Sequence, residues 1–318
     1  MAATKNKTLI VAGLVMIVAG GGWMIAKSKA TAQAKDAIDG FLIRTKLAAE
    51  VRYRDLSASP FGSATLSGVT LGASSPTPVV VGSIDISDIE MKGDQLRAIR
   101  IVAKDAEIPL LSIARQQHRP DDMMKTAIGL GYSRVTATLE TAIRFDESKG
   151  ALAVDSSGKV ADGGSWDARV RLAGIDAKAV DALYGLANGG KALGGAAVLG
   201  LIGSLGDNLT RLSLVEMKVG VDNSGWFKRA NTITDLDMPP DGANGPAFDE
   251  AELIRAGMAP SEAQAARRSV ETWLKSGGGL NVATNLGQPL PLFRGSVFAP
   301  SFTDLPAFLA MTKSRIGN

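Results

Sequence analysis

The sequence predicts an α+β protein: one N-terminal transmembrane helix followed by a β-rich body of antiparallel meanders with a few packed helices. Three observations carry this expectation. Residues 9–26, LIVAGLVMIVAGGGWMIA, hold no charge and are flanked by Lys5, Lys7, Lys27 and Lys29. From residue 51 onward, apolar and polar residues alternate in short runs, the period of a strand with one wet face. Glycine-, proline- and aspartate-rich punctuation separates those runs and supplies turn geometry.

A helix rises 1.5 Å per residue and a bilayer's hydrocarbon core is about 30 Å thick, so the first run approaches the roughly 20 apolar residues a span requires. It is longer than the apolar region of a signal peptide, about 7–15 residues, and the small-x-small triplets at 30–32 and 32–34 lie beyond Lys27 and Lys29. The expected organisation is a cytoplasmic leader at 1–7, an uncleaved anchor at 8–26 and a juxtamembrane helix or linker at 27–50. A β-rich periplasmic body at 51–235 and a mixed helical C-terminal part at 236–318, packed on the body, complete it. Leu9, Leu14, Ile17 and Trp23 are the anchor residues, with Trp23 at the interface. Gly20, Gly21, Gly22 and Ala26 give a small face on which another membrane protein's helix could pack. Lysines stand on both sides, so charge does not decide orientation, but a short leader favours an N-terminus left in the cytoplasm. The expected location is the bacterial inner membrane, single pass, with the main domain periplasmic.

Residues 51–56 alternate, as do 64–71, 84–91 and 96–108, and Pro109 should end the last of these because it cannot donate to a ladder. A short helix is expected at 121–130. A long strand follows at 135–145, with Val135, Ala137, Leu139 and Ile143 as candidates for its buried face. Residues 146–150 form a hairpin turn, after which 151–154 and 166–172 complete a second meander around a turn at 162–164. An amphipathic helix at 176–187 has Asp176 as its cap and Val180, Leu183, Tyr184 and Ala187 as its stripe. A strand at 209–221 should point Leu212 and Leu214 inward. After the loop at 237–246, Ser261 with Gln264 reads as a capping box that opens a helix with Ala263, Ala266, Val270 and Trp273 on one face. Gly277 to Gly279 end it, a strand is expected at 280–284, and a last short helix at Leu305–Met311 has Pro306 in its first turn.

Residues 192–205, ALGGAAVLGLIGSL, are uncharged and glycine-rich but too short for a second span. Leu193, Leu199, Leu201, Ile202 and Leu205 are candidates for an apolar flap; the competing reading is a buried segment whose glycines admit a close backbone. No catalytic, cofactor or metal residue emerges. Cysteine is absent, which removes thiolate nucleophiles, disulfides and cysteine-based metal sites. Gly185, Gly190 and Lys191 match part of a phosphate-binding loop, but Ala192 stands at the hydroxyl position. The single histidine, His118, has no carboxylate beside it, and Asp235, Asp237 and Asp241 depart from a calcium-loop spacing. A net charge of +3 with scattered cations argues against a nucleic-acid partner.

The runs VRYRDLSASPFGSATLSGVTL, VGSIDISDIEMKG and LRAIRIVAKDAEIPL, set behind a single span, resemble membrane-anchored periplasmic proteins grouped with the AsmA-like and YdgA-like families. The later runs LGYSRVTATLETAIRFDESKGALAVDSSGKVADGGSWDARVRLAGID and LGQPLPLFRGSVFAPSFTDLPAFLA look like recurring parts of bacterial envelope proteins of unknown function. The resemblance implies a non-catalytic protein that carries lipid in an apolar β-groove, with membrane lipid as its partner. The alternative is an accessory subunit that docks to a larger membrane assembly through its helix and its body. A groove predicts a continuous apolar concavity; an accessory subunit predicts a filled sheet interior.

Overall fold

The structure is a computed structural model and describes residues 31–44, 47–59, 63–92, 95–117, 122–176, 211–230, 232, 249–294, 297–298 and 304–317. Among these residues no helix is long and apolar enough to cross a membrane. This corrects two expectations: the α+β class built on an N-terminal transmembrane helix, and the single-pass placement in a bacterial inner membrane. The described chain is β-rich and antiparallel, with few helices. Its longest helix has 17 residues and carries Arg267, Arg268, Glu271 and Lys275, charges that suit an amphipathic helix lying on a sheet. Residues 8–26, on which the anchor was expected, lie outside the described residues, so Leu9, Leu14, Ile17, Gly20, Gly21, Gly22, Trp23 and Ala26 do too.

The chain divides into two compact units, residues 1–146 with 176–205 and residues 147–175 with 206–318. The first holds α1 (Thr31–Arg44), β1 (Val51–Arg52), β2 (Asp55–Ser59), β3 (Ser63–Leu71), β4 (Val79–Lys92) and β5 (Gln95–Ile108). Then come α2 (Leu110–Gln116), α3 (Asp122–Gly129) and β6 (Val135–Asp146). Its strands run β1-β3-β4-β5-β6, all antiparallel, with β2 also paired to β3. The expected strand at 51–56 is broken in two. Arg54 turns its N–H to the Ser67 carbonyl, and its side chain lies over Gly68, which has φ +60. β4 and β5 each carry a bulge, where Asp88 and Asp105 take positive φ, a conformation aspartate tolerates better than most residues.

One face of this sheet is a filled core. Val69 and Ile84 are 0% exposed, Leu66 and Ile86 1%, and Ile38 and Leu42 of α1 complete the cluster. Burial of each such side chain stabilises by about 1.5–3 kcal/mol. Of the residues expected inward on β6, Ala137 is buried and Leu139 and Ile143 pack against the cluster, while Phe145 lies beneath the guanidinium of buried Arg97, 5.0 Å from ring centroid to Cζ. The other face is polar, with Lys104 and Asp85 paired at 2.7 Å and Arg100 and Glu140 at 2.8 Å. Asp39 fixes α1: the Tyr53 hydroxyl donates to its Oδ1 at 2.5 Å and Lys35 Nζ lies 2.8 Å from its Oδ2. Burial pushes the Asp39 carboxyl up, but the hydrogen bonds from Lys35 and Tyr53 outweigh it and leave the pKa below its ordinary value.

The second unit holds β7 (Ala151–Val160), β8 (Ser165–Ala173), β9 (Ser213–Asp222), α4 (Ser224–Ala230), α5 (Glu250–Arg255) and α6 (Pro260–Ser276). β10 (Gly279–Ala283), β11 (Leu290–Pro291), β12 (Phe293–Arg294), β13 (Val297–Phe298), α7 (Leu305–Met311) and β14 (Arg315–Gly317) follow. The strand order is β7-β8-β9-β10-β14, with β11 on β9 and β12 with β13 as a separate hairpin. Leu214, Leu253, Ala263, Ala266, Val270, Phe308, Leu309 and Ile316 belong to its core; of the stripe expected on α6, Trp273 is only half-buried and stands outside that cluster. The expected capping box does not form. Ala259 is the N-cap without a side-chain bond and Pro260 occupies the first turn, where its missing N–H costs nothing. Asp249 and Asp304 cap α5 and α7 instead.

Candidate functional site

The two units treat their apolar sheet faces differently, and the difference marks the candidate site. On β7 and β8 the even-numbered residues share one face, and the register sets Leu152 opposite Leu172, Val154 opposite Val170, Ser156 opposite Ala168 and Gly158 opposite Trp166. The same rows continue into β9, where Leu172 meets Leu214, Val170 meets Met217, Ala168 meets Val219 and Trp166 meets Val221. From β9 they reach β10, with Val219 beside Val282 and Val221 beside Leu280. An apolar face four strands wide results.

Helices cover only part of it. α6 packs on β10 and β14, α5 packs on α6, and α7 packs on α5, burying Leu214 to 3% and Ile316 to 8%. Among the described residues this cover thins toward β7, with Val170 and Leu172 of β8 still packed against the core. Leu152, Val154, Ala168 and Val221 are half-buried, and Trp166 is 36% exposed. The equivalent face of the first unit keeps its central residues at 0–1%. The result is an apolar lane along β7 and β8 that still meets water. Other exposed apolar side chains, such as Ile43, Val80, Ile254 and Leu305, are spread over separate elements, which is ordinary for a protein surface.

At the far end of the lane, the Trp166 ring lies flat across β7. A Cβ built at residue 158 would come within 2.0–2.5 Å of three atoms of that ring, so only glycine lets the indole sit there. Beyond it, Gly163 is in close contact with both Val160 and the Trp226 indole of α4.

The reverse face of the same strands is charged and internally paired. Arg171 Nη2 lies 2.9 Å from both Asp155 oxygens, Arg169 Nε lies 3.2 Å from Asp155 Oδ1, and Arg171 Nη1 donates to the Val154 and Val170 carbonyls at 3.3 and 3.1 Å. Lys218 pairs with Glu216 at 2.5 Å. The hydrogen bond from Lys218, with help from Arg169 and Arg171, holds the Glu216 carboxyl below the usual range. These pairs clamp strand to strand. Among the described residues there is no group of three or more His, Cys, Asp or Glu able to hold a metal ion.

The flap candidates Leu193, Leu199, Leu201, Ile202 and Leu205 lie outside the described residues, as do His118, most of the 176–187 helix and the aspartates at 235, 237 and 241. The first strand of the lane is expected from the sequence to end at residue 154, whereas β7 runs on to Val160, so Ser156 and Gly158 are strand positions that expectation did not include. A glycine inside a strand, placed opposite an aromatic residue, was the available signal, because glycine in a strand marks a close approach. No family model matches the chain, and no curated protein matches it either.

Proposed function

We propose that this is a non-catalytic binding protein whose β7–β8 lane holds a lipid or another hydrophobic ligand. The observation that carries the proposal is the incomplete cover of a continuous apolar face. Val170 and Leu172 pack against the core, and Leu152, Val154, Ser156 and Ala168 extend the same face while remaining only half-buried. Such a surface gains about 25 cal/mol for each Å² of apolar area that a ligand removes from solvent. The ion pairs on the reverse face tie β7 to β8 and hold the strands in register. The sequence resemblance to AsmA-like proteins points the same way.

The test uses the full chain and dansyl-undecanoic acid. Energy transfer from tryptophan to the dansyl group should rise to saturation as the probe fills the lane. Ala168→Asp places a charge on the floor of the lane and should abolish the signal while leaving the far-ultraviolet circular dichroism unchanged. Saturable binding that survives Ala168→Asp, or no saturable binding at all, would overturn the proposal.

A further inference from the structure

We propose that the start of α1 is an edge guard: Thr31 and Asp55 occupy outward backbone groups of β2 and keep a second copy of this chain from pairing with it strand to strand. Among the described residues β2 pairs with β3 alone, so its other edge borders the sheet of the first unit. A bare edge presents N–H and C=O groups that template another chain. In an antiparallel ladder, alternate residues turn both groups to the partner strand, and the residues between them turn theirs away. Ala58 turns its groups away, because both bond to Thr31, and Leu56, two positions back, does the same.

Side chains take three of these four groups. The Thr31 hydroxyl accepts from the Ala58 N–H and donates to the Ala58 carbonyl, each at 3.3 Å, in the place of a neighbouring strand. Asp55 Oδ1 accepts from the Leu56 N–H at 2.8 Å. Thr31 is the first residue of α1, and that helix is held to the sheet by buried Ile38 and Leu42 and by the bond between Asp39 and Tyr53. The guarded groups are also complementary to themselves. Two antiparallel copies of β2 centred on Ser57 would set Leu56 of each against Ala58 of the other, closing four hydrogen bonds about a two-fold axis. Ser57 would then face its own copy, with Cα atoms about 4.5 Å apart.

The experiment uses the full chain. It has no cysteine, so Ser57→Cys at an exposed position makes a single reporter of that pairing under mild oxidation. With the guard in place, little disulfide-linked dimer should form. Adding Thr31→Val and Asp55→Ala should raise its yield roughly tenfold or more, since each guarding hydrogen bond counts for about fivefold. Thr31→Ser keeps the hydroxyl and should hold the yield at the guarded level. In the opened chain, Ser59→Cys would lie about 14 Å from its copy, beyond disulfide reach, and should stay monomeric. Equal yields from guarded and opened chains, or cross-linking at 59 as readily as at 57, would overturn the guard. In dilute Thr31→Val, hydrogen exchange at Ala58 should quicken about fivefold while β3 and β4 keep their protection, which checks the fold. Unchanged exchange at Ala58 would overturn the role of Thr31.

Discussion

Val81 on β4 and Val154 on β7 have the same side chain, occupy the same kind of position on an apolar sheet face, and differ in their cover. Val81 is 1% exposed, facing Val69 and Ala106 across its two neighbours. Val154 is half-buried and lies on the lane opposite Val170. Threonine matches valine in shape but exchanges a methyl for a hydroxyl, so Val→Thr creates no cavity and isolates the cost of drying a polar group. At Val81 that hydroxyl has no water to meet, and the cost should be about 1–3 kcal/mol. At Val154 the hydroxyl reaches solvent, and the change should stay within about 0.5 kcal/mol. Hydrogen exchange in rising urea, read separately on peptides from β4 and β7, keeps the two units apart, since each opens with its own free energy. Val154→Thr costing as much as Val81→Thr would mean that the lane is a dry core, and the ligand-binding argument would fail with it.

Gly158→Ala should force the Trp166 ring off its seat, shifting tryptophan emission to the red and lowering the stability of the second unit; an unchanged spectrum would show that the ring does not depend on that glycine. The pKa of Asp39 is depressed below its ordinary 3.8, so its contribution is present above that pH and is lost as pH falls through the folded value. Amides of α1 should accordingly lose protection below about pH 3.8, and Asp39→Asn should remove that acid-dependent step in hydrogen exchange. Asp155→Asn breaks a fork whose carboxylate side chain is 45% exposed, so it should cost under about 1 kcal/mol in urea unfolding. Gly174→Ala should be worse, because Gly174 has φ +81 and a Cβ there would run into the Arg211 carbonyl; the same urea series measures it.

The strands were legible because a half-buried strand writes its alternation into the sequence. Residues 64–71, 96–108 and 135–145 come within a residue or so of β3, β5 and β6, and Pro109 does end β5. The α6 stripe of Ala263, Ala266 and Val270 was legible for the corresponding helical reason. What escaped depended on partners distant in sequence. The break between β1 and β2 follows from Arg54 bonding to Ser67, and the early start of β4 at Val79 follows from its pairing with Leu71. α2 escaped because Leu110 to Gln116 buries no residue and so carries no stripe to read. The start of α6 was misread because a proline at the first position competed with a plausible serine cap.

The lane was illegible for a deeper reason. Alternation records which side of a strand is apolar, and it does so equally for Val81, which is sealed, and for Val154, which is not. The deciding information lies in the covering layer. In the first unit, Ile38 and Leu42 of α1 lie on the face, close beside β2 in sequence and pinned through Asp39 to Tyr53. In the second unit the cover among the described residues comes from α5, α6 and α7, which follow β9 in sequence; it reaches Val170 and Leu172 of β8 and leaves Leu152 and Val154 of β7 half-buried. Strands that outrun their cover must hold their register by other means, and the Asp155 fork to Arg169 and Arg171 supplies one on the reverse face. An apolar face open to water, backed by an ionic clamp, is costly to maintain in a protein that never fills it. That cost is the physical reason to test this face for binding.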